Sequence, residues 1–459
     1  MTHSLYAVIA RAGRRLGGPG TCLSVLALST SIYAEPPMYE VREVDRSEWG
    51  LAIPYDLNNR GWIAGCYDSG VNFGDARHAA VWIDGERIDL TPEDYIVSAS
   101  AYGINNDGTV TGQYHTDGTV YSGGFRWHNG VLETLPTFAP GHQMGRGISE
   151  DGVVLGQAMH EHFSTNATAW DSDLNDYDLG SLGFGSLAYD SNGWGRIVGS
   201  SGVDYSYNPA FIWQHGQMYE LGTLPGKWIG RAYVINNHNE VAGFSGSSGL
   251  DSHGFYWTYG TGMIELPDLG HPFGAEAHDM NDHAVIVGDA WQPGSDVAAV
   301  VWHNFEIYTL NDRLINGEGW DLASAQVIND LGQIAGFGYS RNEPVMFLAT
   351  PVDVPMAALI GPSPGIAGAF NELEVVEAEP GADVLLVYGF SMGETTLPEC
   401  GDVTVDIAAP RGILARADEA GHVEFRGYIP PEGRGKTLLF QAVDLSTCYV
   451  SNLVVRELK

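Results

Sequence analysis

Tyr102-Gly103-Ile104-Asn105-Asn106-Asp107-Gly108-Thr109-Val110-Thr111-Gly112 is the stretch from which the fold of this chain is read. A short apolar run ends in Asn, a tight turn follows at Asn-Asp-Gly, and a second alternating run ends in Gly. Gly supplies the positive φ that such a turn needs, and the Asn side chain can cap it. The phrase Ala-x-x-Ile-Asn-x-x-Gly-x-Val-x-Gly then recurs along the chain. It stands at 232–243 around Ile235 and Asn236, and at 325–336 around Ile328 and Asn329. Looser copies centre on Asn58, Ser149, Asn192 and Asn281. Successive copies of the Asn position are 47, 44, 43, 44, 45 and 48 residues apart.

A second phrase, small-apolar-x-Trp, runs in phase with the first. Its members are Trp82, Trp127, Trp170, Trp213, Trp257 and Trp302, with Phe347 in the seventh place and spacings of 43 to 45. Each unit reads as four short strands, because alternation and turn residues fit strands and no 3.6-residue period competes. Four strands in about 45 residues is the arithmetic of a propeller blade. The seventh unit breaks after its third strand, and Met38–Val44 precedes the first unit without a partner. It matches the fourth-strand phrase Met218-Tyr219-Glu220-Leu221. The expectation is all-β: a seven-bladed β-propeller over 38–350, closed by the N-terminal strand, which removes the open sheet edges. The tryptophans are expected between neighbouring sheets.

The repeat phrase, with His253-Gly254-Phe255-Tyr256-Trp257 and Glu220-Leu221-Gly222-Thr223-Leu224-Pro225, resembles the HAF repeat of extracellular bacterial proteins. His-Ala-Phe itself is degenerate here, with His78-Ala79-Ala80 and Pro209-Ala210-Phe211 among its nearest forms. The resemblance covers about 38–350. It implies an exported repeat protein and brings no reaction and no catalytic residues.

Residues 1–34 read as a secretory signal peptide: Arg11, Arg14 and Arg15, then an apolar run from Cys22 to Ala34, then Glu35-Pro36-Pro37. The run is shorter than the ~20 apolar residues of a membrane span. A secreted location, extracellular or periplasmic, follows, with no membrane span after cleavage. In an oxidising compartment Cys400 and Cys448, outside the repeats, can form a disulfide, leaving Cys66 as a small buried apolar residue. After a Pro/Gly-rich linker at 351–368, residues 369–459 carry about six strand-like runs separated by turns, the pattern of a small antiparallel β-sandwich.

The chain has 459 residues, 60 of them Gly, and 22 Lys plus Arg against 57 Asp plus Glu, a net charge of −35. That balance excludes a nucleic-acid partner, whose phosphates need a basic surface. Few stretches suggest chemistry. Gly389-Phe390-Ser391-Met392-Gly393 has the form of a hydrolase elbow, but a poor helix follows it, and it reads as a hairpin turn. His160 and His162 put two imidazoles on one face, yet read as a solvated loop. Asp171, Asp173 and Asn175 resemble the start of a calcium loop, but Asp176 and Leu182 stand where that loop wants Gly and Glu. No cofactor is expected. The leading reading is a binding scaffold that meets a protein, polysaccharide or surface ligand through loops on one face. The alternative is a polysaccharide hydrolase or lyase with acids converging on a central channel.

Overall fold

The inner strands Ile53–Leu57, Ile96–Ile104, Gln143–Ile148, Ser186–Ser191, Ile229–Ile235, Gly274–Met280 and Trp320–Ile328 each begin a run of antiparallel strands. In the computed structural model the described residues are 36–46, 51–68, 77–91, 96–116, 122–137, 141–160, 165–294 without 249 and 250, and 296–459 without 353, 355 and 402. Among them every regular element is a strand or a three-residue 3-10 turn. The expected signal peptide, 1–34, lies outside the described residues.

Four-stranded antiparallel sheets occupy 53–89, 96–134, 143–180 and 186–222. The next two groups, 229–265 and 274–309, follow the same order and are joined by a short parallel pairing of Ser252 with Gly274 and His253 with Ala275. The strands of 320–352 gain their fourth member from the other end of the sequence. Met38–Asp45 pairs antiparallel with Glu343–Val352, Met38 opposite Val352 and Glu43 opposite Phe347. That strand runs past Ala349, where the sequence pattern breaks, because its partner continues beside it.

Apolar side chains are shared between successive sheets. Phe125 and Val110 of the second group pack with Ala64 and Val81 of the first. Trp170 packs with Leu135, Phe211 with Leu155 and Ala167, and Phe255 with Val198 and Ile212. Trp302 meets Val234 and Tyr256, and Phe347 meets Val287 and Val301. The series returns to its start, since Trp82 of the first group packs against Val327, Ala335, Met346 and Leu348 of the last. Trp82, Trp170 and Trp302 are fully buried, and their indole N–H groups donate to Asp45 Oδ2, Pro136 O and Pro267 O at 2.6–2.8 Å. Trp257 is also buried, while Trp127 and Trp213 are half-buried.

One irregularity repeats in every inner strand. The pairing with the second strand slips by one residue at Tyr55, Tyr102, Arg146, Tyr189, Tyr233, His278 and Gln326. A bulge bends the strand and re-aims the extra side chain. Opposite the residue preceding each bulge stands the Gly that closes the repeat phrase, for example Gly112 opposite Ala101. A Cβ on Gly112 would run into the Ser100 carbonyl oxygen, and one on Gly288 into that of Glu276. The Gly is therefore the condition for the bulge.

Beyond Val352, the sheet of Ala358–Ser363, Ala369–Val376 and Val423–Ile429 packs on a second sheet built around Asp383–Gly389 and Thr437–Asp444. Leu359, Val375, Val384, Leu386 and Phe425 form the core between them. The first of these strands falls inside the expected linker, 351–368. The expected hairpin at 389–393 has a different form. Asp383–Gly389 pairs with Arg411–Arg416 and Thr437–Asp444, whereas Met392–Thr396 pairs with Thr404–Ile407 in a separate small sheet. The segment is a link between sheets, and Ile407 packs where a Gly389 side chain would stand. Cys400 and Cys448 form a disulfide across 48 residues, and free Cys66 is buried.

Gly112→Ala is expected to destabilise the protein by about 3 kcal/mol, the upper range for overpacking, since the clash is with backbone. Gly427→Ala, where an added Cβ meets nothing, is the control and should leave the urea midpoint unchanged.

Candidate functional site: a channel with two different ends

The inner strands place two rings of side chains around one axis of repeats, one at their turns and one at their bulges. At the turn end, the Asn of each phrase acts in two directions. Its Oδ1 accepts N–H groups of its own turn, as Asn58 does from Arg60 and Trp62, both at 3.0 Å. Its Nδ2 donates to the carbonyl of the equivalent residue in the next unit. Asn58 reaches Asn105 at 3.0 Å, Asn105 reaches Ser149 at 3.2 Å, and Asn192 reaches Asn236 at 2.9 Å. Asn236 reaches Asn281 at 3.4 Å, Asn281 reaches Asn329 at 3.1 Å, and Asn329 returns to Asn58 at 3.0 Å.

The following residue makes a second relay. Its side chain accepts the N–H of the preceding unit: Asn106 from Asn59, Glu150 from Asn106, Asn237 from Gly193, Asp282 from Asn237, Asp330 from Asp282, and Asn59 from Asp330. Both relays lapse at the same junction. Ser149 keeps the turn bond to Val153 at 3.0 Å but has no amide to reach Asn192. Gly193 has no side chain to receive Glu150.

Between the rings lie Asp56, Asp190 and Asp279. Each carboxylate accepts the N–H of its own next residue and, at 2.7–2.8 Å, that of Ile104, Ile235 or Ile328 in the next unit. Burial pushes these groups up to about 7, 8 and 6, with the backbone donors pulling the other way. Both oxygens of each are engaged with backbone, which makes them cross-links between units.

At the bulge end Tyr55, Tyr102, Arg146, Tyr189, Tyr233, His278 and Gln326 line a cavity of about 200 Å³, one side chain from each unit. Arg146 stands 4.5 Å above the Tyr102 ring and 5.9 and 5.8 Å from those of Tyr55 and Tyr189. Tyr189 and Tyr233 meet edge to face at 5.1 Å. His278 is held by Asp289 at 3.1 Å, which also accepts from Ser324, and Ser324 receives Gln326 at 2.6 Å. Sequence reading passed over this ring. Its members occupy the first variable position of Ala-x-x-Ile-Asn, and the three aspartates occupy the second. Four tyrosines at one variable position were the available signal.

The turn end is covered by the C-terminal sheets. Asn237 Nδ2 donates to Leu453 O at 2.7 Å, Arg60 pairs with Glu374 at 2.6 Å, and Tyr449 meets His283 at 3.0 Å. Trp194 packs with Leu453 and Val455. A chamber of about 840 Å³ remains beneath the cover, bounded by the Asn turns and by Leu359, Asn452 and Arg456. The Arg456 Nε is buried there without a hydrogen-bond partner. His238 pairs with Asp406 at 3.3 Å across the same interface. Burial opposes its charge, but the Asp406 hydrogen bond and the carboxylates of Asp282, Asp406 and Glu240 outweigh it and hold His238 up at about 9.

The other residues singled out in the sequence do not join either ring. Asp171 caps its own turn, accepting from the backbone of Asp173 and Asn175 and from the Tyr177 hydroxyl. His160 lies between Asp178 and Thr168, and His162 lies outside the described residues. Among the described residues no group of three His, Cys, Asp or Glu is arranged to hold a metal ion. Ser391 accepts the Ala408 N–H through its carbonyl, and His422 pairs with Glu374 at 2.7 Å.

No family model and no curated protein matches the chain. Similar solved structures include TolB from Acinetobacter baumannii, at 12% identity over 64% of this chain and 64% of that one, TM-score 0.37. The chain thus spans less than two thirds of that TolB. AofleA from Arthrobotrys oligospora is similar at 8% identity over 84% of this chain and 92% of that one, TM-score 0.31. No described helix is long and apolar enough to cross a membrane.

Ser149→Asn should supply the missing amide and stabilise the protein by about 1 kcal/mol, one net hydrogen bond, read from chemical denaturation. The His238 pairing gives a pH dependence. Its folded value lies above the ordinary 6.5, so its stabilisation is complete below 6.5 and is lost as pH rises through about 9. The stability difference between wild type and His238→Gln should shrink by about 3 kcal/mol across that window.

Proposed function

We propose that the chain is an exported binding protein: a seven-bladed β-propeller over 38–350, closed by Met38–Asp45, with a β-sandwich over 369–459 covering one end of its channel. The relay of Asn side chains that returns from Asn329 to Asn58, and the apolar clusters that return from the last sheet to Trp82, support the closed ring. Sequence resemblance supports membership of the HAF-repeat proteins, and the signal-like residues 1–34 and the disulfide support export.

Binding, not catalysis, is the function that the geometry favours. The observation that carries it is the bulge ring: each unit spends the same irregularity on aiming one side chain into a common cavity, and four of the seven are tyrosines. Aromatic faces with polar edges suit recognition. The alternative, a hydrolase or lyase with converging acids, needs carboxylates free to exchange protons with a substrate. Among the acids that converge, Asp56, Asp190 and Asp279 accept backbone N–H groups with both oxygens, and at the turn end Glu150, Asp282 and Asp330 accept backbone and Asn amide N–H groups with both of theirs.

The test uses the purified exported chain, whose mass should lack residues 1–34. Incubated with a panel of neutral and acidic polysaccharides, it should retain at least one without producing new reducing ends. The double variant Tyr102→Ala/Tyr189→Ala should lose that retention. Chain cleavage that Asp190→Asn or Asp279→Asn abolishes would instead establish the enzyme.

A further inference from the structure

Arg146 is the one guanidinium in the bulge ring, and it stands where the repeat would otherwise put a tyrosine. Buried or half-buried guanidinium groups are usually paired with carboxylate, because five N–H donors are costly to leave without acceptors. Arg146 has no such pair. Among the described residues no hydrogen bond to its guanidinium is formed, and its nearest partners are the faces of Tyr102, Tyr189 and Tyr55. Stacking on rings leaves the edge of the guanidinium, which carries the donors, directed into the cavity. Asp56, the carboxylate on which the Arg146 charge acts, has both oxygens committed to Leu57 and Ile104.

The rest of the wall narrows what an acceptor for those donors would be. The cavity, about 200 Å³, equals about seven water molecules at ~30 Å³ each, the bulk of one six-membered sugar ring. Its wall is mostly polar, with the amide of Gln326 and the imidazole of His278 fixed by Ser324 and Asp289, so a hydroxyl-bearing guest fits better than a hydrocarbon one. The tyrosine faces offer flat apolar surface for the C–H side of such a ring.

Resting on the reading of the bulge ring as a binding site, we propose that it takes a sugar carboxylate: a single uronic-acid residue of an acidic polysaccharide, its carboxylate paired in two-point fashion with Arg146 and its ring stacked on tyrosine. The protein is strongly acidic, so long-range attraction does not bring an anion here. Local chemistry has to do so. Asp56, Asp190 and Asp279 also line the cavity, but their oxygens are turned to backbone N–H groups, which leaves Arg146 as the guanidinium that faces a guest. No residue beyond 352 lines this cavity, so the C-terminal sheets leave it free.

The experiment is calorimetric titration of the full exported chain with glucuronate and galacturonate, beside glucose, galactose and acetate. At least one uronate should bind, while its neutral sugar and acetate bind roughly tenfold more weakly or not at all, the worth of one charged two-point hydrogen bond. Arg146→Gln should remove that preference, and Arg146→Lys, which keeps charge without the planar fork, should restore part of it. Near-ultraviolet circular dichroism of the tyrosines establishes that each variant keeps its fold. If a neutral sugar binds as well as its uronate and Arg146→Gln changes neither, the carboxylate assignment fails while the binding reading stands. If no sugar binds, yet a polysaccharide of the earlier panel is retained through Tyr102 and Tyr189, the single-residue uronate site is again refuted on its own. If neither happens, both readings fall together.

Discussion

In six of the seven units the amide of one Asn binds two turns at once, and the rest of the architecture depends on it. Its oxygen shapes the local turn, and its nitrogen fixes the distance to the next unit's turn. A unit of about 45 residues has two apolar sheet faces and cannot cover both by itself. Each sheet is therefore stable only between two neighbours, and the first and last units must become neighbours too. Burial alone would allow the sheets to slide, since apolar contact has no direction. Hydrogen bonds from Asn to backbone carbonyl have direction, and their donors and acceptors are buried, where leaving one unmade costs more than making it gains. The Asp56, Asp190 and Asp279 bonds to the next unit's backbone add the same kind of restraint deeper in the channel.

How far this was legible follows from what repetition reveals. Asn58, Asn105 and their equivalents, the Trp series and the closing Gly recur because every unit faces the same structural demand, and self-alignment finds what recurs. The two variable positions in Ala-x-x-Ile-Asn were hidden by the same logic. They line the channel, where the units present different groups to a shared space, so difference is their signature: Tyr102 beside Gly103, Arg146 beside Gly147, His278 beside Asp279. The bulge was not legible either, because its mark on the strand itself, two buried residues an odd three apart at Ala101 and Ile104, is slight in so short a run. Its trace was Gly112 and its equivalents, visible as a repeated Gly at the end of the second strand. The reason for that Gly, a carbonyl oxygen in the place of its side chain, needs the paired strands to be seen.

The C-terminal sheets were legible as strands and turns from 369 onward, and the pairing of Cys400 with Cys448 followed from there being no other pair outside the repeats. Their seat on the turn end was not legible. It rests on contacts between residues hundreds of positions apart, such as Arg60 with Glu374 and His238 with Asp406, and neither partner stands out within its own segment. The hairpin expected at 389–393 failed for a related reason. Local turn chemistry identifies where a chain reverses, but which strand it then pairs with is decided by the apolar faces on offer. The face of Thr437–Asp444 turned away from the other C-terminal sheet packs Leu439 and Val443 with Val405 and Ile407, drawing Met392–Thr396 to that side.

The junction where both relays lapse and the position of the C-terminal sheets are connected. Between the third and fourth units the Asn relay lacks its donor at Ser149 and the second relay lacks its acceptor at Gly193. Yet Gly193 is required on its own account, because a side chain there would collide with the backbone oxygen of Val455. The same C-terminal strand packs on Trp194, the residue after Gly193, and Lys459 reaches Asp151 of the third unit at 3.3 Å. Side-chain links that other junctions make between repeat units are here replaced by contacts from the C-terminal sheets. The C-terminal sheets thus act as a brace across the one junction where both relays lapse. This explains why the third unit could depart furthest from the repeat pattern while the relay is kept elsewhere. A brace at the turn end also leaves the bulge end to a different task, and that is the end where the side chains vary from unit to unit.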